Sequence, residues 1–108
     1  MKRSKGKRNR TPLEVAVGVM LKRAGVSLKA FADDLSTEER PMSHQNLMQR
    51  MGRHEPTRST VELLAQGLGI GYDDLSKAMV DEWKQAEESG RPLACRPMIK
   101  DRAAEMLA

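Results

Sequence analysis

The chain has 108 residues, a net charge of +4, three aromatic residues (Phe31, Tyr72 and Trp83) and one cysteine, Cys95. That length suits one domain with tails, and a lone cysteine excludes an internal disulfide framework or a Cys-rich metal site. No apolar run approaches the roughly 18–20 residues of a membrane span.

The positive charge is concentrated at one end. Lys2, Arg3, Lys5, Lys7, Arg8 and Arg10 occupy the first ten residues without an acid among them, leaving thirteen basic residues against fifteen acidic ones. Residues 1–10 are expected to be a disordered basic arm, suited to tracking phosphates and gaining from counterion release. The same composition suits a solubilising tail, and alone it does not separate DNA from RNA or anionic lipid. No apolar stretch precedes Leu13, so no secretory leader is expected and the chain reads as cytoplasmic.

Helical patterning begins at residue 11. Thr11-Pro12-Leu13-Glu14 reads as a capping box with Pro at the first helical position. Leu13, Val17, Met20, Leu21 and Ala24 then form one apolar face, which Gly25 ends. Ser27 is the expected cap of a second helix, with Leu28, Phe31, Ala32 and Leu35 facing inward. Ser36 to Pro41 is a polar break, and Pro41 lets a new helix start beyond it. Ser43 is the expected cap of that third helix. His44, Leu47, Met48 and Met51 are expected along its inner side, Gln45, Asn46, Gln49, Arg50 and Arg53 along its outer side, and Gly52 at its end. Ser59 with Glu62 reads as a second capping box, opening a fourth helix on Val61, Leu64, Ala65 and Leu68 that stops at Gly69. A fifth runs from near Tyr72 towards Glu88 on Leu75, Ala78, Met79, Trp83 and Ala86. Ser89-Gly90-Arg91-Pro92 is a break, and a last short helix is expected over 98–107. The fold class is therefore all-α: a compact bundle of about five short helices over 11–88, with a linker and C-terminal helical tail over 89–108.

The third helix carries the chemistry. Gln and Asn can pair with adenine, and Arg with guanine, through two hydrogen bonds each, contributing about 1–3 kcal/mol of discrimination per pair. Arg40, His44, Arg50, Arg53, His54 and Arg58 surround the helix, and Glu55 is the only acid from 40 to 58. The fifth helix is instead rich in Asp and Glu, so the field turns the third helix towards an anion and the fifth away from it.

Several segments, in order, resemble the Cro/CI-type (lambda repressor-like) helix-turn-helix family of phage and bacterial repressors. Gly25-Val26-Ser27 is similar to the junction of that family's first two helices. Phe31-Ala32 with Leu35 resembles its Leu-Ala-x-x-Leu core, and Gly52 to Pro56 its Gly-x-x-x-Pro. Val61 to Ile70 followed by Asp73-Asp74-Leu75 resembles its fourth helix and the start of its fifth. The likeness covers residues 13–75. Two departures stand out: the turn after Leu35 is about four residues longer than the family's, with Ser36 in place of its Gly, and the apolar spacing of the third helix is off by one residue.

The resemblance implies a helix-turn-helix reader of double-stranded DNA. It implies base contacts from Gln45, Asn46 and Gln49, with Ser43 and His44 beside them and Arg50 serving bases or phosphates. Arg40, Arg53 and Arg58 are expected on phosphates, and the arm (Lys2, Arg3, Lys5, Lys7, Arg8, Arg10) on an adjacent minor groove. It further implies a homodimer on two half-sites, with Trp83, Met98, Met106 and Leu107 as candidate interface residues.

Nothing in the sequence points to an enzyme, a cofactor, a metal or a small-molecule substrate. The expected function is a sequence-specific transcriptional regulator, a repressor by resemblance. The competing readings are a nonspecific DNA or RNA binder driven by the arm and a helical protein-interaction module.

Overall fold

Short polar side chains decide where most of these helices begin. In the computed structural model, which describes residues 9–100, Thr11 is extended (φ −79°, ψ 159°) and its Oγ1 accepts the Glu14 N–H at 3.2 Å. Glu14 Oε1 accepts the Thr11 N–H at 2.9 Å in return, which satisfies two N–H groups that a helix start would otherwise leave open. Helix α1 follows over Pro12–Ala24 and ends at Gly25, whose left-handed backbone (φ 70°) an L side chain rarely adopts. Ser27 caps α2, Leu28–Leu35, and Ser43 caps α3, His44–Met51. Helix α4 spans Arg58–Leu68, and α5 spans Tyr72–Ser89, where the Asp74 carboxylate accepts the Gly71 N–H.

All five elements of the described residues are helices, and they close on one core. Helix α1 touches each of the other four, α5 lies along α1 and α4, and α2 packs between α3 and α4. Leu13, Val17, Phe31, Ala32, Leu47, Leu64, Leu75 and Met79 are all at most 2% exposed. Each helix brings a stripe too narrow to be stable alone, so the five are stable only together.

Four expectations need correction. Thr57, not Ser59, caps α4: its Oγ1 accepts the Thr60 N–H, and Glu62 pairs with Arg58 instead of closing a capping box. The reason is tertiary, since Thr57 is held extended beside Lys100 by the Arg58 N–H donating to the Lys100 carbonyl and the Lys100 N–H donating to Pro56. For the same reason Met98 to Lys100 is extended and does not begin a helix; residues 101–107 lie outside the described residues. On α3, His44 and Met48 are exposed, and Met42, which the periodicity assigned to no helix face, is buried in their stead. On α1, Ala16 is buried and Ala24 is exposed.

Two glycines inside helices have opposite roles. A Cβ on Gly67 of α4 would lie 2.6 Å from Leu35 Cδ2 and 2.9 Å from Phe31 Cε1, so Gly67 sets how closely α4 approaches α2 rather than forming a turn. Both neighbours are buried and cannot yield freely. Overpacking costs about 1–3 kcal/mol, more than the roughly 0.5–1 kcal/mol that Ala gains over Gly in a helix, so Gly67→Ala is expected to lower stability. Gly18 of α1 has nothing within 4 Å of the same position, and Gly18→Ala is expected to raise stability by about 0.5–1 kcal/mol. Urea unfolding of the two variants checks both signs.

Candidate nucleic-acid interface

The outer surface of α3 follows from its two inward side chains. Leu47 and Met51, one turn apart, are 0% and 4% exposed. At 100° per residue, Gln45 and Gln49 then fall on the opposite side, and both are exposed. His44 is exposed at the first turn. Ser43 is engaged as the cap, its Oγ accepting the Asn46 N–H at 3.0 Å. Asn46 and Arg50 lie together on one flank, half-buried, with Arg50 Nε donating to Asn46 Oδ1 at 3.3 Å. Met48 stands on the other flank.

Beside the Asn46–Arg50 flank the long turn, residues 36–43, is built as a rigid piece. Thr37 and Arg40 exchange backbone hydrogen bonds, Thr37 Oγ1 also accepts the Arg40 N–H, and Ser36 Oγ accepts the Met42 N–H. Arg40 Nη2 donates to the Leu35 carbonyl at 3.0 Å, satisfying the end of α2 and fixing the guanidinium. Arg40 and Arg50, with Ser59, Thr60 and Leu63, line a cleft of about 160 Å3 at the start of α4. Neither arginine has a carboxylate partner among the described residues. Helix starts favour anions through their open N–H groups and dipole, so the cleft combines three cationic features.

The remaining cations divide in two. Arg53 is exposed and has no hydrogen-bond or ion-pair partner among the described residues. Arg58, expected on a phosphate, is shared: its Nε lies 3.5 Å from Glu62 Oε2, and its guanidinium lies 4.5 Å from the centre of the Tyr72 ring. Lys2, Arg3, Lys5, Lys7 and Arg8 lie outside the described residues. Arg10 lies within them, at the end of the segment that meets α3, because Thr11 Oγ1 donates to the Met51 carbonyl at 2.7 Å.

The segment after α5 adds cations that the sequence reading did not assign to this face. Ala94 N–H donates to the Arg10 carbonyl, Cys95 Sγ contacts the His54 carbonyl at 3.5 Å, and Lys100 is bonded to Pro56 and Arg58 as above. Residues 95–100 thus lie along the loop between α3 and α4, carrying Arg96 and Lys100 and no acid, whereas Arg91 stays at the end of α5, bonded to Ala86 and Ser89. That absence of acids was the available sequence signal. Burial, and then the negative charge of Glu14, raise the Cys95 thiol above its ordinary value.

Of the dimer candidates, Trp83 is half-buried on α5 and Met98 is 41% exposed, while Met106 and Leu107 lie outside the described residues. Among the described residues, no three His, Cys, Asp or Glu side chains converge as a metal site requires, and no helix is long and apolar enough to cross a membrane. No protein-family model, curated protein or solved structure matches the chain.

The joint between Thr11 and Met51 is open to direct test. Thr11→Val removes the helix cap and leaves a buried carbonyl without its donor, each worth about 1 kcal/mol or more. The expected loss is about 2 kcal/mol in urea unfolding, with Thr11→Ser retaining most of the wild-type stability.

Proposed function

We propose that the chain is a transcriptional regulator that binds double-stranded DNA sequence-specifically, with α3 in the major groove, and that it represses by occupying an operator. The observation that carries this reading is the opposition on α3: Leu47 and Met51 are buried, while the amides of Gln45 and Gln49 stand on the far side, unblocked and bordered by arginines. Amides in that position suit adenine edges, and the guanidinium groups of Arg40 and Arg50 beside them suit phosphates.

In this reading Gln45 and Gln49 are the base-reading pair and His44 lies beside them. Arg50, oriented by Asn46, reads a guanine or joins Arg40 on a phosphate. Arg53 and the basic arm contribute phosphate contacts that raise affinity without selecting sequence. Arg58 contributes less, since Glu62 already shares its charge. A two-fold dimer through α5 and the C-terminal residues would place two copies of α3 on half-sites about one helical turn apart.

Selection of bound sequences from a random duplex pool at about 150 mM salt tests the reading. One enriched motif is expected, an inverted repeat if the dimer forms. Gln45→Ala and Gln49→Ala are each expected to cost about 1–3 kcal/mol on the enriched site and to relax it at particular positions. Arg53→Ala should weaken all sequences alike and reduce the salt slope by about one. Retention of the pool without enrichment would favour nonspecific binding by the arm, and no retention would favour a protein-interaction module.

A further inference from the structure

One apolar side chain of α3 does not belong to the core. Met48 is 40% exposed, although it borders a hollow of about 270 Å3 that Leu21, Val26, Leu28 and Met51 line on one side and Arg10, Glu14 and Lys22 at its rim. Methionine is unbranched, with three rotatable bonds, and the hollow gives it room to turn inward. Four residues on stands Gly52, which has no side chain to cover it. Single exposed apolar residues are ordinary on protein surfaces. This one edges a face of amides on the side opposite Arg50, which is where an apolar group has a defined use.

We propose that Met48 is a specificity-determining residue that packs its thioether against the 5-methyl group of a thymine, beside an adenine read by Gln45 or Gln49. The proposal rests on the reading of α3 as a major-groove element. In that groove thymine differs from the other bases by its methyl group together with its O4 acceptor. An amide detects the polar atoms of a base edge and is nearly indifferent to the methyl; an apolar side chain detects the methyl. Across the outer surface of α3 the order is Met48, then Gln45 and Gln49, then Asn46 and Arg50, so apolar, amide and guanidinium groups stand side by side. The hollow behind Met48 lets the side chain adjust its depth without moving the backbone.

The test begins from the sequence that the full-length chain enriches. Each thymine is replaced singly by deoxyuridine, which removes the methyl group alone, and Kd is measured for wild type, Met48→Ala and Met48→Leu. At one thymine per half-site the wild type is expected to lose about fourfold in affinity, the equivalent of about 0.8 kcal/mol per buried methyl-sized group. Met48→Ala is expected to bind the thymine site more weakly and to be indifferent to the methyl, and Met48→Leu to keep part of the discrimination. A thermal melt of each variant confirms that the fold is retained, and the deoxyuridine series on wild type stands without any variant. The proposal is overturned if sequence preference persists and depends on Gln45 and Gln49, yet no thymine shows a methyl effect that Met48→Ala removes. If no sequence is enriched, the DNA reading itself fails and this proposal with it, so the two failures are told apart.

Discussion

A two-turn helix has to be held by its neighbours, and the candidate surface depends on how α3 is held. Eight residues rise about 12 Å, too short a helix to persist in water by its own propensity. Leu47 and Met51 seat it from within, Met42 anchors the chain just before it, and the Thr11 hydroxyl ties down its last carbonyl. Thr11 also caps α1, which touches every other helix. One side chain therefore couples the central helix of the bundle, the end of α3 and the segment that leads to the basic residues. The outward amides are therefore carried on a backbone that these contacts hold in place.

The long turn before α3 works to the same end. Lengthening a loop costs little, about 0.6 kcal/mol for each doubling, so extra residues there do not by themselves displace the helix that follows. What they add is position. The reciprocal bonds of Thr37 and Arg40, the Ser36 hydroxyl on Met42 and the burial of Met42 make the turn a fixed bracket. The bracket delivers a second guanidinium beside Arg50. A turn without these residues would leave Arg50 without that neighbour, which gives the length of the turn a physical use.

Features determined by a few adjacent residues were legible in the sequence. The caps at Thr11, Ser27 and Ser43 and the stops at Gly25 and Gly69 depend on local chemistry, and periodicity alone turned Gln45 and Gln49 outward. What could not be read depends on partners distant in the chain. Ser59 and Glu62 have the spacing of a capping box, but Lys100 holds Thr57 extended two residues earlier. Met48 is as apolar as Met51, so composition puts both inside; only the phase set by Leu47, Met51 and Met42 rotates Met48 out. The role of Gly67 could not be read either, because the Phe31 and Leu35 side chains that crowd it lie on another helix.

The cations of this face differ in what they can contribute to holding an anion. A flexible arginine carries roughly 2 kcal/mol of side-chain conformational entropy, part of which is lost on binding. Arg40 and Arg50 are already oriented, by the Leu35 carbonyl and by Asn46, so less remains to be lost when a phosphate reaches their cleft. Arg58 is oriented as well, but towards Glu62, in an exposed pair worth at most about 1 kcal/mol, and an anion must compete with that carboxylate. Arg53 is exposed and has no partner among the described residues, so it offers charge at the full entropic cost. On the proposed reading, a backbone phosphate would therefore be held most tightly where the turn meets α3, beside Gln45 and Gln49. Positioning contacts placed there would restrict how α3 tilts, and the proposed discrimination between base pairs by a few amides and one methionine requires a fixed tilt.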